Sequence, residues 1–101
     1  MNANDDAMLN KLRSRFRERL ARELPKLCTH IPYTHKNQQA LMQLAHSLAG
    51  AGGTFGFPCI STKATELENL LRQNQDEQEI TTALHKLIAT ISAAIPDASS
   101  I

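Results

Sequence analysis

Tryptophan is absent, and aromatic residues make up only 4% of the 101-residue chain. A core without large rings must be filled by Leu, Ile and Ala, which favours packed helices over a β-sandwich. No apolar run approaches the ~18–20 residues that a membrane-crossing helix needs, so no membrane span is expected. The polar, acidic start, Asn2 to Asp6, does not read as a secretory leader. Cysteine is scarce, and Cys28 and Cys59 belong to no paired motif. They read as two reduced thiols, and the expected location is cytoplasmic. A net charge of +1 singles out no class of partner. Glycine is also scarce, yet all four glycines fall between Gly50 and Gly56.

What is present is helical periodicity. Asn4 or Asp5 would cap a first helix, along which Leu9, Leu12, Phe16, Leu20, Leu24 and Leu27 recur at steps of three and four. Pro25 falls inside that pattern and predicts a kink or a new turn. Seven of the eleven basic residues lie between Lys11 and Lys26. Such a helix can face solvent with local pairs such as Glu18 to Arg22, dock a partner, or bind lipid or nucleic acid. The solvated face is the expectation, with neither membrane nor nucleic acid as a partner. Cys28, His30 and His35 sit close together, but a structural zinc site wants four ligands and no second pair follows. No metal is expected.

Ile31 to Tyr33 reads as a loop, with Thr34 capping a second helix from about His35 to Gly52. Leu41, Leu44, Ala45 and Leu48 define its buried face. At about 100° per residue, His46 points roughly 140° from the centre of that face. It is therefore expected on the exposed side, beside Gln39, Gln43, Gly50 and Gly53, with Met42 and Ala49 flanking. A glycine inside a helix costs about 1 kcal/mol relative to alanine, so Gly50 suggests close approach by another molecule. The later glycines would let the helix stop and the chain reverse. GAGGTFG is not a nucleotide loop: it has no preceding strand, no GxGxxG spacing and no Gly-Lys-Ser/Thr. Pro58 opens a third helix to about Asn74, with Phe57, Ile60, Ala64, Leu67 and Leu71 as its stripe. Ser61, Thr65, Glu68 and Arg72 line one flank, and a helix hairpin could bring that flank beside His46. Asp76 and Glu79 form a capping box for a fourth helix, whose core face is Ile80, Leu84, Leu87, Ile88, Ile91 and Ile95. Pro96 would end it. The expected fold is all-α, an antiparallel four-helix bundle over about 5–95 with a tail at 96–101, making 1–101 a single domain. A monomer is expected.

His46-Ser47-Leu48-Ala49-Gly50, then Gly53-Thr54-Phe55-Gly56-Phe57, then Leu67-Glu68-Asn69-Leu70-Leu71 resembles the histidine-containing phosphotransfer (HPt) domain family, and most of all the phosphotransfer domain of chemotaxis-type histidine kinases. The family pattern is a histidine, an apolar residue two on, a lysine three on, a glycine four on, a second glycine near ten on and an acid or amide about 22 on. This chain matches all but the lysine, which is Ala49. The resemblance implies a phosphoryl group carried on His46 to or from an aspartate of a response-regulator receiver domain, in exchange with that receiver or a hybrid sensor histidine kinase. It also implies that Glu68 accepts Nδ1–H and orients the imidazole, although Glu68 could instead simply pair with Arg72 at i+4. Gly50 would keep the imidazole accessible, and Gln39, Met42, Gln43, Ala49, Gly53 and Thr65 would surround the docking site. Arg72, or a basic residue of the first helix, could supply the cation that Ala49 does not. No cofactor is expected on this chain, because Mg²⁺ would sit in the receiver's own acidic pocket. Without a nucleotide-binding or kinase module, the expectation is a carrier rather than an enzyme with independent turnover. The starting methionine fits a free-standing protein, with an excised domain as the other reading. The alternative function is a receiver-docking or regulatory module that has lost efficient transfer.

Overall fold

Four amphipathic stretches fold as four α-helices in the computed structural model, which describes residues 3–95, with side chains from residue 7. They are α1 (Ala3–Cys28), α2 (Gln38–Thr54), α3 (Pro58–Arg72) and α4 (Glu77–Ala94), with a short 3-10 turn at His35–Asn37 before α2. No strand occurs among the described residues. The expected end at Pro96 and the tail at 96–101 lie outside the described residues.

Each helix buries the stripe that its periodicity marks out. Phe16, Leu20 and Leu27 of α1 meet Leu41, Ala45 and Leu48 of α2, Ile60, Ala64, Leu67 and Leu71 of α3, and Ile80, Leu84, Leu87 and Ile91 of α4 in one aliphatic core. Burial of such side chains contributes about 1.5–3 kcal/mol each. Rings gather only at one end, where Phe16 packs against Phe55 and Phe57 with centroids 5.5 and 5.3 Å apart. Six residues expected on these buried stripes, Leu9, Leu12, Leu24, Leu44, Phe57 and Ile88, are only half-buried. At 26 residues, α1 is about 39 Å long, against roughly 23–27 Å for the 15 to 18 residues of the other helices.

The structure corrects the expected boundaries. Helix α1 begins at Ala3, so Asn4 and Asp5 lie within it rather than at its cap. It also continues through Pro25 to Cys28. Pro25 is exposed, so its ring points away from the core. It still serves as an acceptor, for the Thr29 N–H at 3.1 Å. Thr34 precedes the 3-10 turn but makes no side-chain cap bond. The loop is pinned to α4 instead: the Tyr33 N–H donates to Thr81 Oγ1 at 3.1 Å and the His35 N–H to Glu77 Oε2 at 2.9 Å. Burial, and then the Glu77 carboxylate, push the Tyr33 phenol above its ordinary pKa.

Gly52 and Gly53 do not stop α2, which runs on to Thr54. A Cβ on buried Gly52 would lie 3.1 Å from Ser61 N and 3.3 Å from Phe57 O, so this glycine lets α3 approach closely. The chain reverses at Gly56, whose φ is +83°, a conformation that costs glycine little. The α3–α4 connection turns through Asn74 at φ +57°. There the N–H groups of Asn74 and Gln75 close on the carbonyls of Leu71 and Leu70, both at 3.1 Å. Asp76 then caps α4, its Oδ1 accepting from the Glu79 N–H at 2.8 Å.

Candidate functional site

Helix α2 buries Leu41, Ala45 and Leu48, which turns His46 outward with 76% of its side chain exposed. Helix α3 lies alongside and brings Glu68, 22 positions on, to the imidazole: Glu68 Oε2 is 2.8 Å from His46 Nδ1. The same oxygen accepts from Arg72 Nη2 at 2.6 Å. Glu68 is the one buried charged residue among those described. A buried carboxylate is costly unless it is paired and hydrogen-bonded, and here two donors meet it.

An ionised carboxylate only accepts hydrogen bonds, so the contact is a hydrogen bond when His46 carries its proton on Nδ1. The lone pair of the neutral ring is then on Nε2. An exposed imidazole with that tautomer can act as a nucleophile or accept a proton at Nε2. A shallow depression between α2 and α3 is lined by Met42, Gln43, His46, Glu68 and Arg72.

Of the expected docking residues, Met42 and Gln43 line this depression, and Gln39, Ala49, Gly53 and Thr65 do not. Met42 and Ala49 are half-buried, while Gln39, Gln43, Gly53 and Thr65 are exposed. A Cβ on Gly50 would meet nothing within 4 Å, so nothing inside the fold requires glycine there. Ser61 does not join His46; its Oγ donates to the Ala49 carbonyl at 2.8 Å and ties α3 to α2. Cys28 and Cys59 are free and exposed. Among the described residues, no group of His, Cys, Asp and Glu is placed to hold a metal ion.

The role of α1 was not legible in sequence. Glu18 and Arg22 do not pair; the ion pair within α1 is Glu23 with Lys26 at 3.3 Å. Other cations reach out of the helix. Arg19 Nη2 donates to Ser47 Oγ at 2.6 Å, one residue beyond His46. Arg13 Nε donates to the Phe55 carbonyl at 3.0 Å, and the Arg17 guanidinium lies 5.2 Å from the centre of the Phe57 ring. The crowding of arginines on α1 was the one available signal, and their partners lie 28 to 42 residues away in sequence.

A family model described as the Hpt domain matches residues 11–94, which span all of α2, α3 and α4 and the part of α1 from Lys11 onward. The chain therefore belongs to the Hpt domain family, whose members act in histidine phosphotransfer within phosphorelays and interact with receiver domains and kinases. No curated protein and no solved structure was found to match the chain.

Proposed function

We propose that this chain is a phosphoryl carrier, that Nε2 of His46 takes the phosphoryl group, and that a receiver-domain aspartate or a hybrid sensor histidine kinase exchanges it. The 2.8 Å contact of Nδ1 with Glu68 carries this reading. It leaves Nε2 unprotonated at the end of an exposed side chain, as in-line attack on phosphorus requires. In the receiver-to-histidine direction, Nε2 attacks the phosphorus of an aspartyl phosphate. The N–P bond forms, the P–O bond to the aspartate breaks, and the carboxylate leaves with the bonding pair. The ring becomes a phosphoimidazolium that keeps its Nδ1 proton, and the Glu68 carboxylate lies against that new positive charge. Return transfer reverses each step. Protein catalysis of such a reaction is mainly positioning and electrostatics. The four helices read as an antiparallel, monomeric, cytoplasmic bundle, closest in pattern to the chemotaxis-type domains. Mg²⁺ belongs to the receiver. The deciding experiment mixes the protein with a phosphorylated receiver and measures acid-labile, base-stable phosphate on this chain. Tight binding without label would favour the docking-module reading, which Ala49 in the lysine position favours.

Two glycines one half-turn apart should behave oppositely. In Gly50→Gln the new Cβ meets nothing within 4 Å, so stability in urea should hold or rise by up to about 1 kcal/mol. Phosphotransfer should nevertheless fall steeply, because the new side chain occupies the approach to His46. Gly52→Val, pressed on the α3 backbone, should lose about 1–3 kcal/mol. Unaltered transfer in Gly50→Gln would sink the access argument.

Arg72 stands where a cation can serve the phosphoryl group. A guanidinium has five N–H donors, and Glu68 engages it through Nη2. Arg72→Ala should shorten the phosphohistidine half-life by a factor of a few, up to about tenfold, because exposure weakens a charge-assisted bond. Ala49→Lys should restore part of that loss. Half-lives of both single variants and the double indistinguishable from wild type would show that neither position senses the phosphoryl charge.

A further inference from the structure

The basic residues of α1 are not spread around the helix. At about 100° per residue, Lys11, Arg15, Arg19, Arg22 and Lys26 fall within an arc of roughly 80°. All but the half-buried Arg19 are exposed. Arg19 fixes where this stripe lies, because its guanidinium rests on Ser47 Oγ at 2.6 Å, next to His46. The stripe therefore runs along the α2 side of the bundle beside the exposed imidazole. Two carboxylates are near it on the same helix: Glu23 pairs with Lys26, and Glu18 stands at its edge. Lys11, Arg15 and Arg22 have no carboxylate within ion-pair distance among the described residues.

We infer that this stripe is a second, electrostatic half of the docking surface, and that it engages an acidic face of the receiver domain that exchanges phosphate with His46. The inference rests on the carrier reading above and adds the charge character of the partner. With Lys26 paired to Glu23, the other four cations of the row still make a locally positive field on a protein whose net charge is only +1. Such a field raises encounter rates with an oppositely charged partner by about 10–10³-fold at low salt. An anionic membrane fits less well. A helix that lies in the lipid interface needs a free apolar face beneath its cations, and Phe16, Leu20 and Leu27 are buried in this protein's own core. A near-neutral chain also lacks the strongly basic balance of nucleic-acid binders.

The test uses full-length protein already phosphorylated on His46 with phosphoramidate, so that each rate refers to phosphohistidine actually formed. The acceptor is the receiver domain to which the wild-type protein transfers. The variants are Arg15→Glu, Arg22→Glu, the double, and Lys86→Glu on α4, a charge change elsewhere equal to that of either single variant. In the double variant the second-order transfer rate should fall at least about tenfold at low ionic strength. The deficit should shrink at high salt, where the Debye length drops to about 3 Å. Lys86→Glu should stay within about twofold of wild type. Three results overturn the inference: wild-type transfer by the double variant, an equal loss in Lys86→Glu, or a deficit insensitive to salt. Sedimentation of the wild-type protein, but not the double variant, with phosphatidylglycerol vesicles would also overturn it, by assigning the stripe to lipid. A wild-type protein that takes no label on His46 would instead sink the carrier reading itself.

Discussion

His46→Gln should carry no acid-labile, base-stable phosphate after mixing with a phosphorylated receiver, and its helical circular dichroism should match wild type. Loss of label is expected to be complete, because glutamine has no ring nitrogen to form an N–P bond. The fold should survive, because 76% of the histidine side chain faces solvent and surface changes of this kind usually stay within about ±0.5 kcal/mol. The amide can still donate toward Glu68, so the buried carboxylate keeps a partner. The other histidines provide the counter-test. His30 has its Nδ1 buried without a hydrogen-bond partner. His35 Nδ1 lies 3.4 Å from the Tyr33 hydroxyl. His85 is exposed on α4, with no acidic partner within ion-pair distance among the described residues. Label retained in His46→Gln would move the site to one of these three.

Much of this architecture was legible because local and global signals agree. The 3.6-residue period of Leu and Ile marks the buried stripe of each helix, and the caps at Pro58 and Asp76 are read from one or two residues. What the local pattern left open or misplaced shares a physical cause. How α1 passes Pro25 depends on which way its ring faces, and with solvent on that side the helix runs on to Cys28. Whether Gly52 ends α2 depends on what packs against it; the α3 backbone does, so the glycine serves close approach inside a helix. The spacing of His46 and Glu68 is compatible with a hairpin that joins them, but a distance of 2.8 Å depends on how closely two helices pack. Arg19 shows the limit most clearly. Nothing near it in the chain indicates that it reaches Ser47, since that contact is made only once α1 has packed into the bundle.

Glu68→Ala should slow phosphotransfer by at least about 10–100-fold, the range for a metal-ligating imidazole that loses its orienting partner, with little change in stability. The two effects separate because of where the partners lie. Removing Glu68 strands no buried donor: His46 and Arg72 are 76% and 64% exposed, and water can replace the lost acceptor. What is lost is control of the ring. Without a carboxylate at Nδ1, the neutral imidazole can place its proton on Nε2 and so block the attacking atom. Glu68→Gln separates charge from geometry. In the wild type a single oxygen, Oε2, takes both bonds, and an amide oxygen can do the same, so the tautomer should persist while the countercharge for the phosphoimidazolium is gone. Its rate should therefore fall between wild type and Glu68→Ala. Nitrogen-15 shifts of the His46 ring report the tautomer directly: Nδ1–H in the wild type and Glu68→Gln, with Nε2–H appearing in Glu68→Ala. A Glu68→Ala protein that transfers at the wild-type rate and keeps the Nδ1–H tautomer would show that the carboxylate merely pairs with Arg72 along α3 and does not set the chemistry of His46.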